Sequence, residues 1–192
     1  MLGSEGSVGL GEGSLWVATV GVGKSLLLRY DSATGAEQAR ISMPLGHGVT
    51  VAFGSVWVTG AAKDQLYRID AATNELVATI NLGAGPVFIT AGFGSIWVVE
   101  LRDGVVQRID PETNAVIATI ATGGHRGGDI IAGGGYVWAS YYDGLPLVQI
   151  NPKTNQSQIY AGTGFGDGLA SGAGSIWISG RTIARISPPT WR

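Results

Sequence analysis

The stretch GSIWVVELRDGVVQRIDPETNAVIATI, residues 94–120, decides how the rest of the chain is read. After the Gly-Ser turn, Ile96, Trp97, Val98 and Val99 put apolar groups on both faces of one short strand, the pattern of a strand buried between neighbouring sheets. A polar link, LRDG, separates it from VVQRID at 105–110. PETN then turns the chain and AVIATI leaves the turn. Asp110 is placed to accept backbone N–H groups ahead of it, and Asn114 tolerates the left-handed conformation that closes such a hairpin. Val, Ile, Thr and aromatic residues fill the runs and no helical period appears, so the stretch predicts strands only.

The same text recurs along the whole chain. GSLWV at 13–17, GSVWV at 54–58, GYVWA at 135–139 and GSIWI at 174–178 repeat the entry, and Trp16, Trp57, Trp97, Trp138 and Trp177 are 41, 40, 41 and 39 residues apart. RYDSATG at 29–35, RIDAATN at 68–74, QINPKTN at 149–155 and RISPPTW at 185–191 repeat the turn on the same beat. A small-residue run such as FITAG at 88–92 precedes each Trp strand, making four short strands per unit. Four-stranded sheets repeated every ~40–45 residues are the signature of a β-propeller. The expectation is an all-β, single propeller domain over 1–192, with blades at about 7–46, 47–86, 87–126, 127–166 and 167–192. The fifth lacks its outer strand, because the sequence ends at Arg192, and Trp191 stands where Asn closes the other turns. Either Met1–Gly6 supplies that strand, or the chain belongs to a larger propeller. An open set of blades would favour self-association through its bare edges.

Composition agrees with many short strands. Gly accounts for 32 of 192 residues and charged residues for only 14%, yet 45% are hydrophobic, ample for a core. The net charge of −2 and the absence of basic clusters argue against nucleic acid and anionic membranes as partners. No Cys is present, which excludes disulfides and thiolate metal sites. The start MLGSEGSVGLGEGS has no basic and apolar regions of a signal peptide. PVFITAGFGSIWVV at 86–99 is interrupted by Gly and shorter than the ~20 residues of a membrane span. The chain reads as soluble, with a cytoplasmic and an exported location both open. ATVGVGKS at 18–25 imitates a phosphate loop, but LLLRYDSATG follows it, which the repeat identifies as a strand and its hairpin. A phosphate loop needs a helix there. Lys24 is therefore read as a residue of a link.

Alternating strand direction sorts the polar residues. With strands A to D numbered from the axis outward, every D-to-A link and every B-to-C link falls on one face, and the D-x-x-T-N turns fall on the other. The link face receives His47, His125, Arg126, Asp129 and Asp167 from D-to-A links. From B-to-C links it receives Lys24, Lys63, Asp64, Glu100, Arg102, Asp103, Tyr141, Tyr142, Asp143 and Arg181. Such links are where rigid scaffolds carry binding residues. Tyr141, Tyr142, Asp143, Arg126, Arg181 and Asp129 are the candidate binding residues, for a small-molecule, peptide or protein ligand. Loop packing is the competing role for the two tyrosines. The five repeat Trp are read as structural.

GSIWVVE, VVQRIDPETNAVIATI and the Gly-rich links resemble the YVTN-type and streptogramin (virginiamycin B) lyase-like propeller repeats over nearly the whole chain. LGHGVTVAFGSVWV at 45–58 is similar to the lyases' P-H-G-I link with His47 in the histidine position, and GGHRGGDIIAGGGYVW at 123–138 places His125 two blades later. SIWVVE is similar to their W-F-T-E strand end, which implies Glu100 as a carboxylate for a divalent metal, Mg²⁺. The resemblance implies an elimination that opens a cyclic ester, with His47 or His125 as the base. Departures are plain: Gly46 replaces Pro, Arg126 follows His125, and the other strand ends are read as Thr59, Ser140 and Ser179. Two functions follow, a binding module on the link face or a Mg²⁺-dependent lyase-like enzyme.

Overall fold

The structure, a computed structural model, describes residues 7–19, 25–44, 46–143, 147–160 and 166–187. Lys24, Trp191 and Met1–Gly6 lie outside the described residues. Every regular element is a strand, and no helix occurs among the described residues. The first sheet holds β1 (Val8–Gly11), β2 (Ser14–Thr19), β3 (Ser25–Asp31) and β4 (Glu37–Met43). The second holds β5 (Val49–Ala52), β6 (Ser55–Gly60), β7 (Gln65–Asp70) and β8 (Leu76–Asn81). The third holds β9 (Pro86–Gly92), β10 (Ser95–Glu100), β11 (Val105–Asp110) and β12 (Ala115–Ala121). The fourth holds β13 (Asp129–Gly133), β14 (Tyr136–Ser140), β15 (Val148–Asn151) and β16 (Gln156–Ile159). The fifth has three strands, β17 (Leu169–Gly172), β18 (Ser175–Ile178) and β19 (Ala184–Ile186). Strand order in each sheet is sequential, and neighbouring strands among the described residues pair antiparallel. These are the blades of a β-propeller, and among the described residues the fifth is one strand short. The strand after GKS is β3, as the repeat requires, and no helix follows that could hold a phosphate.

The chain divides into two compact units, Met1–Ile89 and Thr90–Arg192. In the first unit, Trp16 belongs to one core cluster with Val56, Ile69 and Ala71 of the second sheet, with Val51 packed against it. In the second unit, Trp138 clusters with Leu169, Ile176 and Ile178 of the fifth sheet. The rule is the same in both: a blade's Trp seats on the apolar face of the blade that follows. Strands β6 and β10 are buried at every residue, as the apolar residues of both parities in their sequences require.

A clamp repeats around each Trp. Arg29, Arg68 and Arg108 lie directly opposite Trp16, Trp57 and Trp97 in the ladder. Their guanidinium carbons stand 4.8, 4.9 and 4.8 Å over the indole rings. Each Nε also donates to the Ser of the Gly-Ser turn, Ser14 at 2.9 Å, Ser55 at 2.9 Å and Ser95 at 2.8 Å. Within each unit the fork reaches on to the next blade's turn, Arg29 Nη1 to Asn74 Oδ1 and Arg108 Nη1 to Asn155 Oδ1, both at 3.0 Å. The fourth blade departs from this as its sequence does. Gln149 replaces the Arg and Tyr136 the Ser, and Tyr136 and Tyr160 pack edge-on against Trp138 instead.

The turns follow their chemistry. Asp70 Oδ1 accepts the N–H groups of Ala72 and Thr73 at 2.9 and 2.8 Å, and Asp31 Oδ1 accepts those of Ala33 and Thr34 at 3.0 and 2.8 Å. Asn74, Asn114 and Asn155 close their turns at φ of 64°, 58° and 57°, and Gly35 takes the same place at 73°.

Candidate functional site

In the second unit, three links that are far apart in sequence meet at one end of the sheets. The first, Thr122–Gly128, enters β13. The second begins at Tyr141, where β14 ends. The third reaches β17 through Gly166, Asp167 and Gly168. His125 N–H donates to Asp143 Oδ2 at 2.6 Å, and Tyr142 N–H donates to the Arg126 carbonyl at 2.7 Å. The Tyr142 hydroxyl donates to Asp167 Oδ1 at 2.6 Å. Asp167 in turn presents its carbonyl to Ser140 Oγ at 2.5 Å. The D-to-A and B-to-C links of this unit thus share a face, with His125, Arg126, Tyr142, Asp143 and Asp167 all exposed on it.

Glycine makes the first link possible. Gly128 sits at φ +105°, and a Cβ there would overlap the Ser140 carbonyl oxygen, so only Gly lets the chain pass this close. A Cβ at Gly124 or Gly127 would run into the rings of Tyr141 and Tyr142. The link therefore lies flat on two tyrosines and lifts His125 and Arg126 at its tip. The His125 ring in turn covers Gly104, where a Cβ would stand 2.5 Å from Cε1.

The two tyrosines separate. Tyr142 is 40% exposed, whereas Tyr141 is fully buried. The Tyr141 hydroxyl shares a 2.7 Å hydrogen bond with Thr122 Oγ1, and burial pushes its pKa up to about 12. Tyr141 is a prop under the link and leaves the set of surface residues. Its position in a buried ladder end was not legible in the run YYD, where both rings look alike.

Asp129 is half-buried at the start of β13. It accepts the N–H of Ile130 at 2.8 Å and that of Leu169 at 2.9 Å, tying the fourth blade to the fifth. Burial, with the Asp167 charge adding to it, outweighs those donors and raises its pKa. Arg181 is exposed in the link after β18. His47 is half-buried in the first unit, its ring edge-on to Phe88 with centroids 5.7 Å apart. Glu100 closes β10 in the second unit and is fully buried.

The strand-end comparison needs correction. Glu100 stands three residues past its Trp, the place of Gly60 and Tyr141, while Thr59, Ser140 and Ser179 stand two past theirs and align with Val99. Those hydroxyls have a structural task that the sequence reading missed. Thr59 Oγ1 accepts Gly48 N–H and donates to the Val87 carbonyl, both at 2.8 Å, and Ser140 Oγ accepts Asp129 N–H at 3.0 Å. Ser179 Oγ accepts Gly168 N–H at 3.0 Å. They pin each incoming link to the strand beside it. The signal was present as a hydroxyl two residues after three of the five Trp.

Among the described residues, no group of three or more His, Asp or Glu is placed to share a metal ion. A protein-built cage for Mg²⁺ is therefore absent from this part of the chain. Also among the described residues, no helix is long and apolar enough to cross a membrane.

No family model and no curated protein matches the chain. Solved structures do. A streptogramin B lyase superimposes with a TM-score of 0.80 at 18% identity, covering 94% of this chain and 64% of the lyase. BamB from Moraxella catarrhalis gives 0.69 at 15% identity over 92% of this chain and 56% of its own. The dihydro-heme d1 dehydrogenase NirN, in complex with DHE, gives 0.73 at 15% identity over 98% and 46%. The chain thus spans about half to just under two-thirds of the length of these proteins. Their likeness establishes a streptogramin lyase-like β-propeller fold.

Proposed function

We propose that the chain is a ligand-binding propeller module whose site is the link face of the second unit. The observation that carries this reading is the set of three short hydrogen bonds that join the links, His125 N–H to Asp143, Tyr142 N–H to the Arg126 carbonyl and the Tyr142 hydroxyl to Asp167. They fix the backbone that carries His125 and Arg126 and the side chains of Tyr142, Asp143 and Asp167 before any ligand arrives, which reduces the ordering cost of binding. The Arg126 and His125 side chains rise from a link that only Gly permits. Arg126 offers a planar fork of donors suited to a carboxylate or phosphate. Tyr142 offers one ring face, and Asp143 and Asp167 offer acceptors. Arg181 and Asp129 stand as further binding candidates on neighbouring links. The ligand that fits is a polar small molecule, or a peptide, bearing an acidic group for Arg126 and a ring or methylene face for Tyr142.

The test is a thermal-shift screen of carboxylated and phosphorylated small molecules and short acidic peptides on the intact chain. A hit should raise the melting temperature in proportion to ligand occupancy. Arg126→Ala should abolish that shift while leaving the ligand-free melt unchanged, because the side chain is exposed. If the shift survives Arg126→Ala and Tyr142→Ala alike, the site lies elsewhere.

The TM-score of 0.80 with a streptogramin B lyase favours a second reading, a lyase-like enzyme that opens a cyclic ester by elimination. His125, exposed at the link tip, and His47, in the first unit, are the proposed bases. The buried Glu100 is the proposed carboxylate, holding Mg²⁺ largely through water. The same hits, supplied as cyclic depsipeptides and followed by mass spectrometry, separate the readings. A ring-opened product lost with His125→Ala or His47→Ala supports the enzyme, and binding without product supports the module.

A further inference from the structure

A cavity of about 400 Å³ opens on the first sheet, lined by Leu10, Leu15, Tyr30, Asp31, Ser32 and Gly35. The repeat gives its meaning. The corresponding residues of the second sheet are Val51, Val56, Ile69, Asp70, Ala71 and Asn74. Val56, Ile69 and Ala71 share a core cluster with Trp16, Val51 packs against it, and Asn74 takes the fork of Arg29. The cavity therefore has the form of a seat for a Trp-Arg pair, and among the described residues no Trp-Arg pair occupies it. Its rim is apolar and open, with Leu10 71% and Val8 56% exposed.

The chain also carries a Trp-Arg pair without a seat. Trp16, Trp57, Trp97 and Trp138 are fully buried, but Trp177 is 36% exposed. Arg185 lies 5.5 Å over its ring and donates to Ser175 Oγ at 2.9 Å. Among the described residues, Arg185 has no turn Asn to accept its fork, as Arg29 and Arg108 do. Ile183 beside it is 77% exposed.

We propose that these two faces meet between copies, Trp177 and Arg185 of one chain seating in the Leu10–Leu15–Tyr30 cavity of a second, head to tail. Shape is matched because the contact repeats one the chain already makes within each unit. Charge is matched as well. Gly35 stands where Asn accepts the fork elsewhere, but Asp31 lines the seat, and its carboxylate is held ionised by the N–H groups of Thr34 and Ala33. An Arg over an indole meeting a carboxylate satisfies both groups. Such an interface is heterologous, so each added copy leaves one seat and one pair free, and assembly continues until it closes on itself.

The absence of Cys makes the test direct. Ser187→Cys and Ser32→Cys place single thiols on the two exposed turns that the proposal brings side by side. Mixed and treated with a short bismaleimide, the two proteins should give a cross-linked heterodimer that neither alone gives in comparable yield. Light scattering on the unmodified chain should show mass rising with concentration. Both signals should fall at least tenfold with Leu10→Asp and with Arg185→Glu, which alter exposed residues and should keep the circular dichroism of the parent and a cooperative melt. A monomeric mass at every concentration, or full cross-linking in Leu10→Asp, overturns the proposal. So does a Ser32→Cys/Ser187→Cys chain that bridges only within itself at high dilution, since the seat is then filled in cis.

Discussion

Arg108 shows how one residue joins two blades. It stacks on Trp97, donates to Ser95, and donates on to Pro152 and Asn155 of the following blade. A stacked cation contributes ~0.5–2 kcal/mol and each net hydrogen bond ~1 kcal/mol, so Arg108→Ala should destabilise the chain by about 2–3 kcal/mol. Arg185→Ala removes a longer stack and one bond to Ser175 at an exposed site, and should cost under about 1 kcal/mol in the monomer. Urea unfolding of the two variants at low protein concentration checks the contrast. Equal losses would mean that the clamp acts within its own blade and not across to the next turn. The clamp was written in the sequence as Ser, Trp and Arg on one beat. What hid it is that the Arg and the Trp belong to different repeat signatures, and only the antiparallel register sets them face to face.

At the scale of the element, the turns set a pH dependence. Asp31, Asp70 and Asp110 have pKa values lowered chiefly by backbone N–H donors two and three residues ahead. A carboxylate with a depressed folded-state pKa contributes stability that is complete above its unfolded value and is lost as pH falls through the folded one. The melting temperature should therefore hold from neutral pH down to about pH 4 and decline below it. The fourth blade supplies a control, because Asn151 makes the same turn, accepting Lys153 N–H at 2.9 Å without a titrating group. Replacing all three Asp with Asn should flatten the acid decline at a small loss near neutrality, measured by calorimetry from pH 7 to about pH 2.5. An unchanged acid limb would assign the decline to other carboxylates.

For the whole molecule, burial predicts a gradient of local stability. Strands β6 and β10 are buried at every residue, whereas β19 is exposed or half-buried throughout. Amide exchange should accordingly be slowest in β6 and β10 and fastest in β19, whose residues are exposed or half-buried. Uniform protection across all five sheets would show that the blades open only together. If copies associate as proposed, raising the protein concentration should slow exchange selectively in β18, β19 and β1. The same experiment then reports on assembly.

The repeat, the strand order, the turn chemistry and the failure of GKS to be a phosphate loop were legible in the sequence alone. Each of these is local: a periodic pattern, a side chain bonding two residues ahead, a strand where a helix was needed. Alternation of strand direction also predicted that links of the second unit meet, as those of His125, Tyr142 and Asp167 do. Only the tertiary structure parted Tyr141 from Tyr142, since one ring lies under a glycine-built link and the other on top. Only the structure gave Thr59, Ser140 and Ser179 their task, assigned Asp129 to tying two blades, and revealed a Trp-shaped cavity on the first sheet. These depend on which surfaces approach within a few ångströms of each other. Contacts between residues tens of positions apart are set by packing, and a pattern along the chain does not carry them.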